Sequence, residues 1–366
     1  MVGLKPNTPN TPSAAQSGAN TPVQEAPNPF SRPSSPAGHR ETKRYGFIGL
    51  GNMGKHMALN LAVHVHNQGC APLLVWNRTK EHTDKFLETT QKRADGEVPI
   101  QVAKDVSEIG SKCDYIFTSL GTDEAVEEIY LELFKSHEES RPTKHTTYIE
   151  TSTIYPATAG KLEREASKKS TRHFLTCPAF GRPDAAARAQ LVFAISGDYR
   201  SRKSVSHVLI PALGRKVMDL GSNVEKAASF KLVGNSMILA TIEMLSETMT
   251  LADQSGVGKE NVYKLIQELY PAPSFLTYGK KILKNEYSGE DGFSLQGGIK
   301  DAGHIRRLAE EHNVPMPTID LAHQHLIAAR ANGGGNLDWC GLVGGTRIAA
   351  GLPPFKDKKS QLQRYE

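Results

Sequence analysis

The feature that most constrains this chain is a glycine-rich turn between a short apolar run and a helix-like pattern. Residues 45–61 read YGFIGLGNMGKHMALNL, in which Gly49, Gly51 and Gly54 have the GxGxxG spacing. At this spacing the first glycine permits a tight turn, the second lets the backbone approach a pyrophosphate, and the third lets the helix pack closely on the strand. The first-turn amides of the helix then face the anion. The turn predicts a dinucleotide site formed by six residues: Gly49, Leu50, Gly51, Asn52, Met53 and Gly54.

Apolar runs and amphipathic segments alternate after this turn, which is typical of a parallel, doubly wound sheet covered by helices. The predicted strands after the first are residues 73–76, 100–102, 115–120, 146–149, 173–176, 191–196 and 216–220. The predicted helices between them include residues 123–134 and 156–168. We therefore expect a Rossmann-type domain over residues 44–221.

The strand patterns stop after Leu220, and helical patterns take their place. Residues 225–252 form one long helical pattern interrupted by Gly234, and helical segments separated by Gly and Pro continue to Arg330. The predicted fold class is therefore α/β, with a Rossmann-type doubly wound sheet followed by an all-α C-terminal domain that a long helix joins to it. We assign residues 222–354 to this second domain.

The two ends of the chain differ in composition from its body. Residues 1–43 are rich in Pro, Ser, Thr and Asn, which predicts a disordered tail because such a segment buries too little apolar surface to offset its ordering entropy. Residues 355–366 are predicted to be a charged tail. Of the net charge of +5, residues 1–45 carry +3 and residues 355–366 carry +2. The body is therefore neutral, and no nucleic-acid partner is expected.

The cysteines and the hydropathy pattern bear on whether the chain is a disulfide-bonded, metal-binding, membrane or secreted protein. Cys70, Cys113, Cys177 and Cys340 are scattered, with no CxxC pair and no metal-ligand spacing, so we expect reduced thiols and no metal site. No apolar run approaches the ~20 residues of a membrane span, and no secretory or transit signal is recognisable. These features predict a cytoplasmic protein that has no membrane partner.

The end of the second predicted strand indicates which dinucleotide binds. In the NAD form of this fold an Asp or Glu there accepts hydrogen bonds from the ribose, but here LLVW is followed by Asn77, Arg78 and Thr79. A guanidinium can bind a 2′-phosphate through two hydrogen bonds. We therefore expect NADP(H) rather than NAD(H), bound in part by these three residues. In the alternative interpretation, Asn77 caps the next helix and Arg78 is only solvated.

Four motifs follow one another along the chain: GLGNMG at 49–54, WNRT at 76–79, ETSTIYP at 150–156 and KLVGN at 231–235. Their order resembles the β-hydroxyacid dehydrogenase family, which includes 3-hydroxyisobutyrate dehydrogenases, glyoxylate and succinic-semialdehyde reductases and, more distantly, 6-phosphogluconate dehydrogenase. The resemblance covers nearly all of residues 44–352. It implies a nicotinamide-dependent enzyme that moves hydride between the nicotinamide and a small carbonyl or alcohol substrate, such as a 3-hydroxy acid or a semialdehyde.

Lys231 and Asn235 are four residues apart, so both project from one face of the predicted long helix. By the resemblance, the lysine is the general acid/base at the carbonyl oxygen, and the asparagine holds lysine and substrate in register. A lysine suits this role when burial or a neighbouring cation lowers its pKa. Gly234 between them would let a ligand approach the helix closely. Alternatively, the pair is a surface lysine and a solvated asparagine.

The resemblance adds cofactor-binding residues outside the glycine-rich turn. It places Thr153 near the nicotinamide, and Leu120 and Gly121 beside the adenosine. Lys300 and Asp301 resemble the family's closing Lys-Asp pair, which begins a helix that reaches the cleft, and we assign Lys300 to the cofactor. Alternatively, Thr153 is ordinary loop chemistry and Asp301 is a first-turn acid that stabilises a helix N-terminus.

The segment after residue 175 departs from the family pattern. Where the family reads DAPVSGG, this chain reads TCPAFGR, so Phe180 replaces the serine and Arg182 the second glycine, while Gly181 is retained. The family's serine helps to bind a substrate carboxylate, which a phenylalanine side chain cannot do. We assign Phe180, Gly181 and Arg182, together with Asn235, to substrate binding, and Arg182 can supply the lost anion recognition. Alternatively, Arg182 pairs with Asp184 at the rim.

Two other functions stay open at the level of sequence. The chain could be an NADPH-binding adaptor without catalysis, because the altered segment puts the usual substrate in doubt. It could also be an imine-reducing relative, although such relatives generally lack a lysine at the position of Lys231. The resemblance further implies a homodimer formed through the helical domain, and it places Asp338 and Trp339 at a recurrent family position.

Overall fold

The structure is a computed structural model that describes residues 26–31, 43–91, 98–289 and 292–355. It has two units: a nine-stranded sheet covered by helices, and an all-helical unit that begins with a helix of 30 residues. The sheet, the long helix and the helical unit confirm the predicted fold class. Within the described ranges, none of the helices is long and apolar enough to cross a membrane.

The sheet has the strand order that binds dinucleotides in doubly wound proteins. Its strands are β1 (Tyr45–Ile48), β2 (Leu73–Trp76), β3 (Ile100–Val102), β4 (Tyr115–Thr118), β5 (Thr146–Glu150), β6 (Arg172–Thr176), β7 (Ala179–Phe180), β8 (Leu191–Gly197) and β9 (Gly214–Asp219). They lie in the order β3-β2-β1-β4-β5-β6-β8-β7, and β9 pairs with β8. The order reverses between β1 and β4, and in doubly wound sheets this is the point where ligands bind at the carboxyl ends of the strands. The sequence predicts eight of these strands, and β7 is too short to give a pattern.

The part of the sheet beyond β6 is not parallel, so the prediction of a parallel sheet is wrong there. β6 and β7 both pair with β8 in antiparallel fashion, and β9 then runs parallel to β8. The reason lies in the connection from β6 to β8, which contains β7 and a helix of only five residues, Pro183–Ala187. A parallel crossover requires a longer connection that spans the sheet, usually through a full helix.

In the part of the chain that the structure describes, seven helices accompany the sheet. They are α1 (Gly54–Asn67), α2 (Lys80–Gln91), α3 (Val106–Lys112), α4 (Asp123–Ser140), α5 (Pro156–Ala166), α6 (Pro183–Ala187) and α7 (Tyr199–Ala212). α1 buries Met57, Leu61 and Val65 against the sheet, as the helical spacing of these residues predicts. Thr122 caps the N-terminus of α4, because its hydroxyl oxygen accepts a hydrogen bond from Ala125 N at 3.2 Å.

The helical unit packs around the long helix α8. Its helices are α8 (Glu225–Gln254), α9 (Lys259–Leu269), α10 (Pro273–Lys284), α11 (Leu295–Glu311), α12 (Pro317–Ala329) and α13 (Val343–Ala349), with a 3₁₀ turn at Trp339–Leu342. α8 continues through Gly234 without a break, and its buried side chains Leu232, Leu239 and Met249 belong to one core with α11 and α12. All four cysteines lie within the described residues and are free thiols, as predicted.

Residues 26–31 pack on the sheet unit, so the prediction of a disordered tail is wrong for this segment. The carbonyl oxygen of Pro27 accepts a hydrogen bond from Val217 N on β9, and Asn28 Nδ2 donates to the carbonyl oxygen of Ser206 on α7. Phe30 is buried, which supplies the apolar contact that the composition of the tail does not suggest. The rest of the predicted tail, residues 1–25 and 32–42, lies outside the described residues.

The predicted charged tail begins one residue too early. Phe355 is buried in the core of the helical unit, with its ring 5.9 Å from that of Tyr287. Its large apolar side chain explains the burial. The charged residues that follow it led to the prediction that it belongs to the tail. Residues 356–366 lie outside the described residues.

Candidate active site

The glycine-rich turn between β1 and α1 has three different backbone environments. Gly49 has a φ of +98°, which other residues rarely adopt, and a Cβ atom there would overlap the carbonyl oxygen of Ser119. A Cβ atom at Gly54 would overlap the carbonyl oxygen of Gly49, so the helix lies close against the turn. At Gly51 no atom lies within 4 Å of such a Cβ, and the backbone faces open space. This cradle fits a pyrophosphate, whose binding by the turn stays a prediction.

Asn77, directly after β2, ties the second strand to the turn. Its Oδ1 accepts a hydrogen bond from Leu50 N at 2.9 Å, and its Nδ2 donates to the carbonyl oxygen of Thr79 at 2.9 Å. The side chain thus supports the turn instead of capping α2. Arg78 follows directly and is exposed. The binding of a 2′-phosphate by Arg78 stays a prediction.

Asn52, on the turn itself, contacts the helical unit. Its Nδ2 donates to the carbonyl oxygens of Gly289 and Gly292, at 3.1 and 3.2 Å. Met53 precedes α1 and packs against the core of the sheet unit. Both side chains are engaged with protein, so the turn offers backbone, not these side chains, to a phosphate.

A buried carboxylate connects the loops after β4 and β5. Glu150 accepts hydrogen bonds at Oε1 from Ser152 N (2.6 Å) and at Oε2 from Thr118 Oγ1 (2.7 Å). Ser152 Oγ in turn accepts from Leu120 N at 2.7 Å. Burial raises the pKa of Glu150 to about 7, although these hydrogen bonds oppose the rise. The network fixes the loop that continues to Gly121, where a Cβ atom would meet nothing within 4 Å.

Four predicted residues meet where the helical unit touches the sheet. Lys300 on α11 donates a hydrogen bond to the carbonyl oxygen of Thr153, and its Nζ lies 3.2 Å from Asp301 Oδ1. Asn235 on α8 donates from Nδ2 to Asp301 Oδ2 at 2.7 Å. Asp301 is fully buried and lies in the second turn of α11, which begins at Leu295. The interpretation of Asp301 as a first-turn acid is therefore wrong.

Lys231 lies beside the substrate segment, half-buried. Its Nζ donates a hydrogen bond to the carbonyl oxygen of Ala179 at 2.7 Å and lies 4.4 Å from the centre of the Phe180 ring. Burial lowers the pKa of Lys231 to about 8; the charge of Asp301 opposes this effect and that of Lys300 adds to it. The interpretation of Lys231 as an ordinary surface lysine does not fit this environment.

Phe180 occupies the space that Gly234 leaves on α8. A Cβ atom at Gly234 would overlap the Phe180 ring, which also packs edge-on against Phe230, with ring centres 5.6 Å apart. We expected this glycine to let a ligand approach the helix, but an aromatic side chain of the same chain fills the gap. The missing side chain thus accommodates the residue that replaces the family's serine.

Arg182 points towards the helical unit and not only to its neighbour Asp184. Its Nη1 lies 3.5 Å from Oδ2 of the fully buried Asp338, whereas its Nε lies 3.9 Å from Oδ1 of the exposed Asp184. Its guanidinium also lies 5.6 Å from the centre of the Tyr278 ring. Gly181 before it has a φ of +141°, which turns the chain between Phe180 and Arg182. The pairing with Asp184 is therefore present but long, the nearer partner Asp338 was not predicted, and binding of a substrate anion by Arg182 stays a prediction.

His304 joins α11 to the start of α4. Its Nε2 lies 2.9 Å from Asp123 Oδ1, while Asp123 Oδ2 accepts hydrogen bonds from Tyr155 N and Thr158 Oγ1. Burial alone would raise the pKa of Asp123, but the hydrogen bonds from His304, Tyr155 and Thr158 lower it to about 2. This contact holds α11 in the position from which Lys300 reaches the sheet unit.

The structure therefore brings the predicted proton donor, the Lys-Asp pair and the substrate segment to one junction between the units, with the glycine-rich turn nearby. Sequence reasoning missed Glu150 as a support for the loops and Asp338 as a partner of Arg182. The TSTI motif directly follows Glu150, and nothing in it indicates that the Glu150 side chain forms a hydrogen bond with β4. Among the described residues there is no group of three or more His, Cys, Asp or Glu that could hold a metal.

Comparison with protein families agrees with this arrangement. A model of the NAD-binding domain of 6-phosphogluconate dehydrogenase matches residues 44–221. A model described as NAD-binding of NADP-dependent 3-hydroxyisobutyrate dehydrogenase matches residues 226–344. The two matches follow one another and together span both units.

Individual proteins give the same result. The chain is 28% identical over 302 residues to the NADH-dependent oxidoreductase ucdB of Aspergillus ustus, which covers 82% of this chain and 98% of the relative. It is 28% identical over 301 residues to glyoxylate/succinic semialdehyde reductase 1 of Arabidopsis thaliana, covering 81% and 96%. The structure of 3-hydroxyisobutyrate dehydrogenase from Salmonella typhimurium shares the fold, with a TM-score of 0.70, 16% identity and coverage of 82% and 99%. The chain therefore belongs to the β-hydroxyacid dehydrogenase family and is a nicotinamide-dependent oxidoreductase of the 3-hydroxyisobutyrate dehydrogenase type.

Proposed function

We propose that this chain uses NADP(H) to move hydride between the nicotinamide and a carbonyl or alcohol substrate, with Lys231 as general acid and base. The observation that carries the proposal is the environment of Lys231, whose burial lowers its pKa to about 8. A lysine with such a pKa holds its proton at neutral pH and still exchanges it readily, as a general acid/base must.

The side chains around Lys231 keep its amino group in place. The carbonyl oxygen of Ala179 accepts its hydrogen bond, and the ring of Phe180 covers one side of it. Asn235 is fixed one helical turn away by Asp301. NADP(H), when bound, would supply the hydride for reduction or accept it in oxidation. Lys231 gives a proton to the carbonyl oxygen during reduction and removes it from the hydroxyl during oxidation.

The preference for NADP(H) is proposed from Arg78. Its guanidinium follows Asn77, which is hydrogen-bonded to the glycine-rich turn, and no carboxylate follows β2 to bind the ribose hydroxyls of NAD. The Aspergillus ustus relative is named as NADH-dependent, so the two cofactors must be compared directly. Replacing Arg78 with Ala should weaken NADPH binding about tenfold, the loss of one charged hydrogen-bonding partner, and leave NADH binding unchanged.

Titration of NADPH and NADH by intrinsic fluorescence measures both affinities. The exposed Lys85 on α2 provides a matched control, because Lys85→Ala also removes one positive charge from an exposed side chain. Equal affinities of the unmodified protein for both cofactors would contradict the Arg78 argument.

The catalytic part of the proposal is tested by substrate turnover. NADPH absorbance is followed with succinic semialdehyde, glyoxylate, keto acids and cyclic imines, since the Arabidopsis thaliana relative is named as a glyoxylate/succinic semialdehyde reductase. We expect reduction of at least one carbonyl compound and its loss in Lys231→Ala. Cofactor binding without turnover would favour the adaptor, and turnover of imines alone would favour an imine reductase.

We also propose a homodimer that forms through the helical unit. α8 exposes four apolar side chains on one face, namely Val233, Met237, Met244 and Leu251. Such an apolar stripe marks an interaction surface on a soluble domain. Light scattering coupled to size exclusion should give twice the monomer mass, and Met237→Glu should reduce it to the monomer mass.

A further inference from the structure

Residues 27–31 are held on the sheet unit at both ends of the segment. The carbonyl oxygen of Pro27 accepts a hydrogen bond from Val217 N on β9 at 2.9 Å. The carbonyl oxygen of Ser31 lies 3.2 Å from Nε2 of His207 on α7. These contacts involve only the backbone of the segment, so they do not select its sequence.

Asn28 makes the first contact that depends on sequence, because its side chain bonds to the segment and to α7 at once. Its Oδ1 accepts a hydrogen bond from Phe30 N at 3.0 Å, which closes a tight turn. Its Nδ2 donates to the carbonyl oxygen of Ser206 at 3.1 Å and lies 3.3 Å from Nδ1 of His207. A side chain without both an acceptor and a donor cannot form this set of contacts. Pro29 restricts the backbone before docking, which reduces the entropy lost on binding.

Phe30 makes the second such contact, because its ring lies against an aromatic ring and a guanidinium. Phe30 is only 8% exposed, and its ring packs edge-on against that of Tyr199, with ring centres 5.8 Å apart. The guanidinium of Arg202 lies 5.8 Å from the centres of both rings. Arg202 also donates to the carbonyl oxygen of Gly197 and pairs with Asp219. Its position therefore does not depend on Phe30 alone.

The groups that contact the segment form one surface of the sheet unit. Tyr199, Arg202 and Ser206 are three and four residues apart, so they lie along one face of α7. We call this surface the tail site, and it is formed by Tyr199, Arg202, Ser206, His207 and Val217. It uses no residue of the glycine-rich turn or of the junction around Lys231, so it is separate from the candidate active site.

We propose that the tail site is a peptide-binding site for an Asn-Pro-Phe turn, and that residues 27–31 occupy it as a ligand within the same chain. The sequence Asn-Pro-Phe occurs once in the chain, at Asn28, so the site has one match in its own protein. A ligand tethered in the same chain acts at an effective concentration on the order of millimolar, so a modest intrinsic affinity keeps the site filled. A separate peptide of the same sequence therefore binds well only when the chain's own segment is disabled.

The site is tested in the full chain by emptying it with the double substitution Asn28→Ala and Phe30→Ala. A fluorescent peptide with the sequence of residues 26–31, APNPFS, is titrated against this variant and against the unmodified protein, and anisotropy is measured. We expect saturable binding to the emptied variant and an apparent affinity at least about tenfold weaker for the unmodified protein. Replacing either the asparagine or the phenylalanine of the peptide with alanine should weaken binding about tenfold or more.

Substitutions within α7 test the surface itself. Tyr199→Ala, added to the emptied variant, should weaken peptide binding, because it removes the ring that packs against the phenylalanine. Arg200→Ala, at the neighbouring exposed residue of the same helix, is the matched control and should leave the affinity unchanged. Neither measurement depends on turnover, so failure of the proposed function would not affect it.

Proteolysis gives a second measurement without an added peptide. Chymotrypsin cleaves after phenylalanine, so the rate of cleavage between Phe30 and Ser31 reports how often the segment leaves the tail site. Asn28→Ala should accelerate this cleavage, whereas Arg200→Ala should not. Absence of binding to the emptied variant at millimolar peptide would overturn the proposal. Equal binding of the alanine-substituted peptides, or unchanged cleavage in Asn28→Ala, would also overturn it, because the segment would then only cover the edge of the sheet.

Discussion

Asn235 donates a hydrogen bond from Nδ2 to Oδ2 of Asp301 at 2.7 Å, and this bond joins α8 to α11. The other oxygen of Asp301 lies 3.2 Å from Lys300 Nζ but has no hydrogen-bond partner, so that contact is a charge pairing without hydrogen-bond geometry. Burial lowers the pKa of Lys231, and the charge of Asp301 opposes this lowering. Asp301 therefore both positions Asn235 and adjusts the proton affinity of Lys231.

Replacing Asp301 with Asn should shift the pH dependence of reduction to lower pH. The substitution removes the charge that opposes the effect of burial, so the pKa of Lys231 should fall below about 8. The pH profile of kcat for the best carbonyl substrate measures this shift. Asp320→Asn, at an exposed aspartate of α12 that pairs with Arg306, is the control. An unchanged profile in Asp301→Asn would show that the two groups are not coupled.

Lys231 itself should make the two directions of the reaction depend oppositely on pH. Reduction needs the protonated amine, so kcat should fall as pH rises through about 8, whereas oxidation needs the neutral amine and should rise through the same pH. Lys231→Ala should lower kcat by about 10²–10⁴-fold in both directions while NADPH still binds. Both pH profiles are measured by stopped-flow or steady-state kinetics, from the absorbance of reduced nicotinamide at ~340 nm. Full activity in Lys231→Ala would exclude the proposed role of Lys231.

Glu150 should make the protein less stable as pH rises. Burial raises its pKa in the folded protein to about 7, above the value of 4.5 that applies to the unfolded chain. A group with a raised pKa contributes stability that is fully present below pH 4.5 and is lost as pH rises through about 7. Glu150→Gln, which stays neutral, should therefore gain in melting temperature relative to the unmodified protein between pH 5 and pH 8.

Scanning calorimetry across that pH range provides the measurement. Glu128→Gln, at an exposed glutamate of α4, is the control and should follow the unmodified protein at every pH. If the melting temperatures of Glu150→Gln and the unmodified protein differ by the same amount at every pH, Glu150 does not titrate in this range.

The sequence predicts this fold well where local patterns decide the structure. The alternation of apolar runs gives the strands β2, β3 and β5 almost to the residue, because each strand and helix has its own periodicity. The reversal at β8 is different, since it depends on how a short connection packs and leaves no periodic signal. Residues 26–31 are missed for a related reason: one phenylalanine in a polar segment is enough to anchor it on α7 and β9.

The site shows the same division. The glycine-rich turn can be predicted from the sequence because each glycine meets a local backbone requirement. The partner of Arg182 cannot be predicted in this way, because Asp338 is 156 residues away and nothing near Arg182 in the chain indicates which acid it contacts. Asp184, two residues on, is the obvious partner by sequence, yet the buried carboxylate of Asp338 lies closer to the guanidinium. Pairings between the two units require the three-dimensional structure.

The glycine-rich turn offers a pair of substitutions that separate binding from folding. Gly51→Ala places a methyl group in open space, so the free energy of unfolding should change by less than about 0.5 kcal/mol, as for an exposed site. The same methyl group stands where the backbone must approach the pyrophosphate, so the Kd for NADPH should rise at least about tenfold, as for the loss of one good contact.

Gly54→Ala should behave in the opposite way, because its methyl group would overlap the carbonyl oxygen of Gly49. Relief of that overlap requires the helix to move, which should cost about 1–3 kcal/mol of folding stability, as overpacking does. Urea unfolding and NADPH titration of both variants check the contrast. Unimpaired NADPH binding by Gly51→Ala would mean that the dinucleotide does not lie across this turn, and its position at the end of β1 would have to be abandoned.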